Sequence, residues 1–340
     1  MKTGIRFLFI SGGLSLLCAC ATPSRQALQP DPFRDGRRAY RLRNGAVELR
    51  VVPEIGRMMF FGPRNGENLL ADHVEVSGDW LNYGGDWLWP VHQDRWAEMG
   101  GASWPPPAVL DGSWTAEAWA EADGTGVIVL RREIGEPLFV RMERRFRLAP
   151  GEEPVLRVEQ SMVRFGASSV PVTLWQISQV ANPDTVVMGR KADSRFPEGY
   201  RHISFNRLRT ETMPMTADAL IFRVREDLVH GNELQHVKFG SDATWLAARR
   251  GPWMLRLRAD GGDQGGEYPD GGCAVTAYAS LTLGYTEIET QSVEMNLAPG
   301  ERLENVVEYR LIAVPEGTEE KGLVPLALDL RPHAHPAQRD

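Results

Sequence analysis

Residues Leu138–Phe165 read LFVRMERRFRLAPGEEPVLRVEQSMVRF. Val140, Met142, Phe146 and Leu148 recur at every second position, and only Arg144 interrupts that face. A period of two marks a strand with one side toward a core. Pro150-Gly151 then supplies the residue types of a type II turn, with Pro at the first central position and Gly at the second. A second strand-like run follows from Val155. The stretch predicts two antiparallel strands and a tight turn.

The same grammar extends along the chain. YRLRNGAVELRVV places two alternating runs around Asn44-Gly45, a strong hairpin signal. VPVTLWQISQV, WMLRLRA, AVTAYASLTL, YTEIETQSVEM and RLENVVEYRLIAV are rich in β-branched or aromatic residues and bounded by Gly, Pro or Asn. No amphipathic helix longer than three turns is readable. The expected class is all-β, as a large antiparallel sandwich. LAPGE occurs at Leu148–Glu152 and again at Leu297–Glu301, either as repeated turn chemistry or as the trace of two related halves.

The chain has 340 residues and a formal net charge of −7. It carries no dominant basic patch, so nucleic acid is not an expected partner. Lys2 and Arg6 precede an apolar run, Phe7–Ala19, that falls short of the roughly 20 residues a membrane-spanning helix needs. That is the build of a secretory signal. Its end, LLCAC, resembles a bacterial lipoprotein box, which implies cleavage before Cys20 and acylation of the Cys20 sulfur. Ala21 then suggests a Gram-negative outer-membrane anchor facing the periplasm. The expected division is residues 1–19 as signal, 20–36 as flexible tether, 37–314 as one β domain and 315–340 as an extension. Only Cys273 would remain, which excludes an internal disulfide and a cysteine metal site. No cofactor or metal is expected; His333 and His335 stand at a chain end without carboxylates around them.

Asn82–Asp111 concentrates the aromatic residues. Four of the ten Trp (Trp87, Trp89, Trp96, Trp104) lie there, together with Asp86, His92, Gln93, Asp94 and Asp111. Flat rings with polar edges stack on sugar faces and also fill cores. Trp87 and Trp89 alternate with Asp86 and Leu88, which predicts one face buried and the other lining a cleft. On YTEIETQSVEM, the residues Tyr285, Glu287, Glu289 and Gln291 share a face. They are either an acid/base pair with an amide neighbour or the wet side of a sheet. Arg144 either snorkels at a sheet edge or reaches a carboxylate in a cavity. Asp260, Asp263, Glu267 and Asp270 lie in a Gly-rich stretch read as a surface loop.

Several of these segments, in order between Tyr40 and Val314, together resemble the bacterial DUF4380 domain: VELRVVPEIGRMMFFGPRNGENLL, YGGDWLWPVHQDRW, WPPPAVLD, VTLWQISQV and YTEIETQSVEMNLAPGERLENVVEYRL. That domain in turn looks like the galactose mutarotase-like β-supersandwich group, which includes aldose 1-epimerases. The resemblance implies that Glu289, in IETQ, is a catalytic base at the anomeric centre of a sugar. The epimerase acid is a His on a middle strand. Here that strand offers Trp175 and Gln176, and a Gln amide cannot protonate a ring oxygen. His92 is the candidate acid in its place. Arg57, Asp86, Trp87, Trp89, Gln93, Trp104, Arg144, Trp175, Gln176, Glu287 and Gln291 are the candidate saccharide contacts. A non-catalytic carbohydrate-binding or structural envelope protein is the alternative.

Overall fold

The computed structural model describes residues 25–205, 213–225, 236–260 and 265–328. The signal segment, Cys20, Asp263, His333 and His335 lie outside the described residues. Two ten-stranded sheets form the body, and a two-stranded hairpin stands beside them. The chain is thus the large antiparallel β-sandwich that the alternation predicts.

The Leu138–Phe165 stretch sits in the first sheet. Val140–Leu148 pairs antiparallel with Val155–Arg164, with Met142 opposite Met162. Both LAPGE turns carry their Gly in the left-handed region, Gly151 at φ 97 and Gly300 at φ 93. A side chain is strained there, so Pro-Gly is the fitting pair. At Asn44-Gly45, the Asn44 side chain accepts the Ala46 and Val47 amides, each at 2.9 Å, and closes the hairpin.

The core lies between the sheets. Phe61 of the second sheet meets Tyr309 of the first at 5.9 Å between ring centroids, and Phe222 of the first meets Phe239 of the second at 5.1 Å. Each fully buried side chain of this size contributes about 1.5–3 kcal/mol of transfer free energy.

Three expectations require correction here. Arg144 is not at an edge: its strand pairs on both sides, and the residue is wholly buried. Its guanidinium donates to Asp86 across the sandwich at 2.6 Å. The tether reading ends too late in the chain, because Gln26–Ala27 pairs with Thr115–Ala120 in the first sheet and Asp31–Pro32 pairs with Arg38–Arg43 beside the second. Their backbone groups find partners on strand edges, which a free linker would leave to water. Beyond the expected domain end at 314, the short helix Leu323–Leu328 buries Leu323, Val324 and Ala327 against Val187, Ile221 and Met254.

The second sheet positions the candidate site. Its order runs through Arg201–Phe205, His236–Ser241, Val275–Ser280, Tyr285–Gln291, Trp175–Ala181, Asp86–Trp89 and Arg57–Pro63. Alternation sends Val237, Phe239, Ala277, Ile288 and Leu88 into the sandwich core. The intervening residues face the other way. The hairpin Asp72–Ser77 with Trp80–Gly84, and the turns around Gln93–Met99, stand over that outer face.

Candidate functional site

A cleft of about 600 Å³ opens on the outer face of the second sheet. Trp87, Trp89, Trp175, Lys238, Glu287 and Glu289 are among the sheet residues that line it, and Trp80 of the hairpin with Gln93, Trp96 and Trp104 close it from above. A groove of about 750 Å³ lies on the first sheet among Arg131, Arg141, Glu143 and Arg302. It has no aromatic wall, and Arg131 is already paired with Glu143 and Glu117. The aromatic cleft is the better candidate on chemistry.

The Trp rings form one connected wall. Trp89 meets Trp87, Trp96 and Trp175 edge to face, with centroids 5.5, 5.8 and 5.4 Å apart. Asp111 fixes two of the indoles: its Oδ2 accepts from Trp80 and its Oδ1 from Trp89 at 3.2 Å. This gives the end of WPPPAVLD its purpose, because an anchored ring loses little freedom when something stacks on it.

Glu289 is held from two neighbouring strands. Its Oε2 accepts from the Trp175 indole and the Thr276 hydroxyl, each at 2.7 Å. The register that does this sets Ile177 and Thr276 opposite Glu289 on the flanking strands. Lys238 Nζ stands 3.5 Å from the same oxygen and 3.2 Å from Asp270 Oδ2. The second oxygen, Oε1, has no hydrogen-bond partner among the described residues.

Lys238 lines the cleft and pairs with Asp270, which does not. Burial would lower the Lys238 ammonium, but the Glu289 and Asp270 charges more than reverse this and raise it. Burial works against the Asp270 carboxylate, yet Lys238 and His92 pull it well below the usual range. Asp270 Oδ2 also takes the Gln291 amide at 3.0 Å and meets His92 Nε2 at 3.2 Å. The Gly-rich loop is therefore not wholly a surface loop. Asp270 sits at φ 52 before Gly271 at φ 67 and Gly272 at φ 105, a left-handed turn that folds the carboxylate under the sheet face.

Glu287 lies one strand repeat from Glu289 on the same face. Burial and the Glu289 charge push its carboxyl up to about 8, against the Gln179 amide bonded to it at 2.8 Å. A carboxyl with that pKa is mostly protonated at neutral pH and can donate a proton.

The candidates divide by geometry. Glu289, Glu287, Trp87, Trp89, Gln93, Trp104 and Trp175 share the cleft. His92 does not line it: the ring lies behind Trp175, with centroids 4.7 Å apart, between Asp270 and Asp94. Burial would lower the His92 pKa, but the bonds to Asp270 and Asp94 raise it. Gln291 is spent on Asp270. Arg57 is buried behind the wall, its guanidinium 4.2 Å from the Trp87 ring and donating to Gly84 O at 2.8 Å. Asp86, Arg144 and Gln176 point into the sandwich and make no part of the cleft. The alternation that aims Trp87 and Trp175 outward aims Asp86 and Gln176 inward.

His92, Asp94 and Asp270 bring ligand-type atoms within 4.8 Å of one another. The Lys238 ammonium and the Gln291 amide already meet the Asp270 oxygen that a cation would use. The donor set suits a charge network better than a metal.

Sequence reasoning missed Lys238, Thr276, Tyr278 and His236, and read Asp270 only as part of a surface loop. A lysine between buried Val237 and Phe239 was the one available signal, a charge on a strand too apolar to be an edge.

No family model and no curated protein sequence matches this chain. Solved structures do resemble it. A TPR-domain containing protein from Parabacteroides distasonis is 12% identical with a TM-score of 0.56, over 89% of this chain and 50% of that one. A galactose mutarotase-like protein from Lactobacillus casei is 10% identical with a TM-score of 0.52, over 80% and 99%. Galactose 1-epimerase from Lactobacillus acidophilus is 10% identical with a TM-score of 0.51, over 86% and 100%. The likeness establishes the galactose mutarotase-like sandwich fold. At these identities it carries the fold alone.

Proposed function

We propose that the chain binds a saccharide in the Trp-walled cleft and that Glu289 is the base in a proton transfer at the sugar's anomeric centre. The carrying observation is a carboxylate with one oxygen pinned by Trp175 and Thr276 and the other without a partner among the described residues, in the same aromatic cleft as the Glu287 carboxyl. The solved galactose 1-epimerase of similar fold supports the reading by analogy.

The chemistry balances with these two groups. Glu289 Oε1 takes the proton of the C1 hydroxyl. The C1–O5 bond breaks as C1 becomes a carbonyl, and the Glu287 carboxyl gives its proton to O5. Rotation about C1–C2 and the reverse transfers close the ring as the other anomer. Glu287 replaces His92 as the acid, since His92 stands behind Trp175. In an NMR anomer-exchange assay over a panel of aldoses, at least one sugar should interconvert faster than in buffer, and Glu289→Gln should abolish the gain. If no sugar exchanges faster than buffer, the catalytic reading fails.

A non-catalytic saccharide-binding protein is the second reading. One observation favours it: the strand Trp175–Ala181 offers the cleft no acid, only Trp175 and Ile177. Sugar binding that survives Glu289→Gln, with no exchange in either form, would select it.

The DUF4380 and lipoprotein resemblances rest on sequence, the latter on residues outside the described set. The proposed anchor is a lipid on Cys20 that holds the domain at the periplasmic face of the outer membrane. Labelled palmitate should be incorporated by the wild type and not by Cys20→Ala.

A further inference from the structure

The geometry points to a saccharide chain, rather than a single sugar ring, as the ligand of this cleft, with units seated on both sides of the Glu287/Glu289 pair. The inference rests on the saccharide reading above.

The cleft spans several strands. From Phe205, which lines one side, to Trp89 on the other, the sheet passes through the strands of Lys238, Tyr278, Glu289 and Trp175. Five strand spacings of about 4.8 Å put the two sides roughly 24 Å apart along the sheet. The carboxylates stand on the strand near the middle. At about 30 Å³ per water, the cleft holds on the order of twenty waters, several times the bulk of one sugar ring.

The cleft also exposes aromatic surface. Trp104 is 49% exposed and Phe205 is 52% exposed, and both line this cleft. The other large exposed apolar side chains among the described residues are aliphatic: Val74, Val76, Leu81 and Met215. Two exposed rings lining one cleft offer flat faces on which sugar units can stack.

Both rings are held rather than loose. The Trp104 indole donates to Ser77 Oγ at 2.6 Å and meets Trp80 edge to face at 5.0 Å. Phe205 packs on His236 at a tilt of 34° with centroids 3.8 Å apart, and His236 Nδ1 lies 2.9 Å from the Tyr278 hydroxyl. Phe205 also holds φ 69, a left-handed backbone in which a bulky residue is strained. Strain of that kind clusters at ligand-binding positions. A single sugar over Glu289 does not reach Phe205, three strands away in the sheet, and Trp104 stands off the sheet beside Trp96 and Trp80.

The test is calorimetric titration with ladders of β-1,4-glucan, α-1,4-glucan and chito-oligosaccharides, from one to six units. In at least one ladder, affinity should rise by about tenfold or more between one and four units, the worth of one stacked ring. Phe205→Ala and Trp104→Ala should each collapse the ratio of four-unit to one-unit affinity. Unchanged melting temperatures would show that both variants fold. Affinity independent of length, no binding by any ladder, or a ratio untouched by both variants overturns the proposal. The catalytic reading fails separately: anomer exchange without length dependence sinks only the chain, and length-dependent binding without exchange sinks only the catalysis.

Discussion

Asp86 and Glu289 belong to the same sheet, and the strand Trp175–Ala181 serves both of them from opposite faces. Asp86 looks inward, where Arg144 donates to Oδ1 at 2.6 Å and Ser178, Gln176 and Tyr309 fill Oδ2 at 2.6, 3.0 and 2.7 Å. Glu289 looks outward, where only Oε2 is filled. A carboxylate with both oxygens bonded inside the core can only hold structure together. One left half-filled in an aromatic cleft can take a proton. The distinction between stability and chemistry is therefore made by side-chain alternation, one residue at a time.

Breaking the inward half should cost the most stability. Asp86→Ala leaves Arg144 charged and unpaired between the sheets, and removal of one partner of such a pair costs about 3–5 kcal/mol. Denaturant unfolding measures it. A loss within error of a surface mutation would mean that the pair is ornamental.

Lys238→Met tests the outward charge network. In the wild type the depressed Asp270 contributes stability above its unfolded value of about 3.9, lost as pH falls through the lower folded value. Without the Lys238 charge that depression shrinks. Melting temperature should be lower at neutral pH and should fall less steeply under acid than in the wild type. Parallel pH–melting curves would refute the linkage.

Glu287→Gln sharpens the assignment of roles. The Glu287 carboxyl, raised to about 8, donates only while protonated. Anomer exchange should therefore decline as pH rises through about 8, and the variant should be slow with that alkaline limb gone. A limb that persists in Glu287→Gln assigns the acid elsewhere. The smallest effect belongs to the rim: Arg95 bridges Glu294 and Glu98 while part-exposed, so Arg95→Ala should cost no more than about 1 kcal/mol in a thermal melt.

Much of this could be read from the chain. Alternation in Leu138–Phe165 and the Asn44-Gly45 and Pro-Gly turns give the sheets, because these signals are local. The outward Trp87 and Trp89 and the Glu287/Glu289 face follow from the same period. What escaped depends on pairing at a distance. Arg144 interrupts an apolar face, but its partner Asp86 lies 58 residues away on the other sheet. Asp270 sits among glycines that resemble a solvent loop, and only its contacts with Lys238, His92 and Gln291 show that it belongs to the buried charge network. Lys238 gains its meaning from Glu289 and Asp270, neither of them near it in sequence.

The most direct test sets the two carboxylates against each other in one assay. Anomer exchange per folded molecule is measured for Glu289→Gln and for Asp86→Asn at a temperature where both remain folded. The account expects Glu289→Gln to lose about 10²–10⁴ of the rate, as removal of a general base does, while Asp86→Asn melts lower and retains exchange. Exchange that survives in Glu289→Gln, or is lost in folded Asp86→Asn alone, would contradict it.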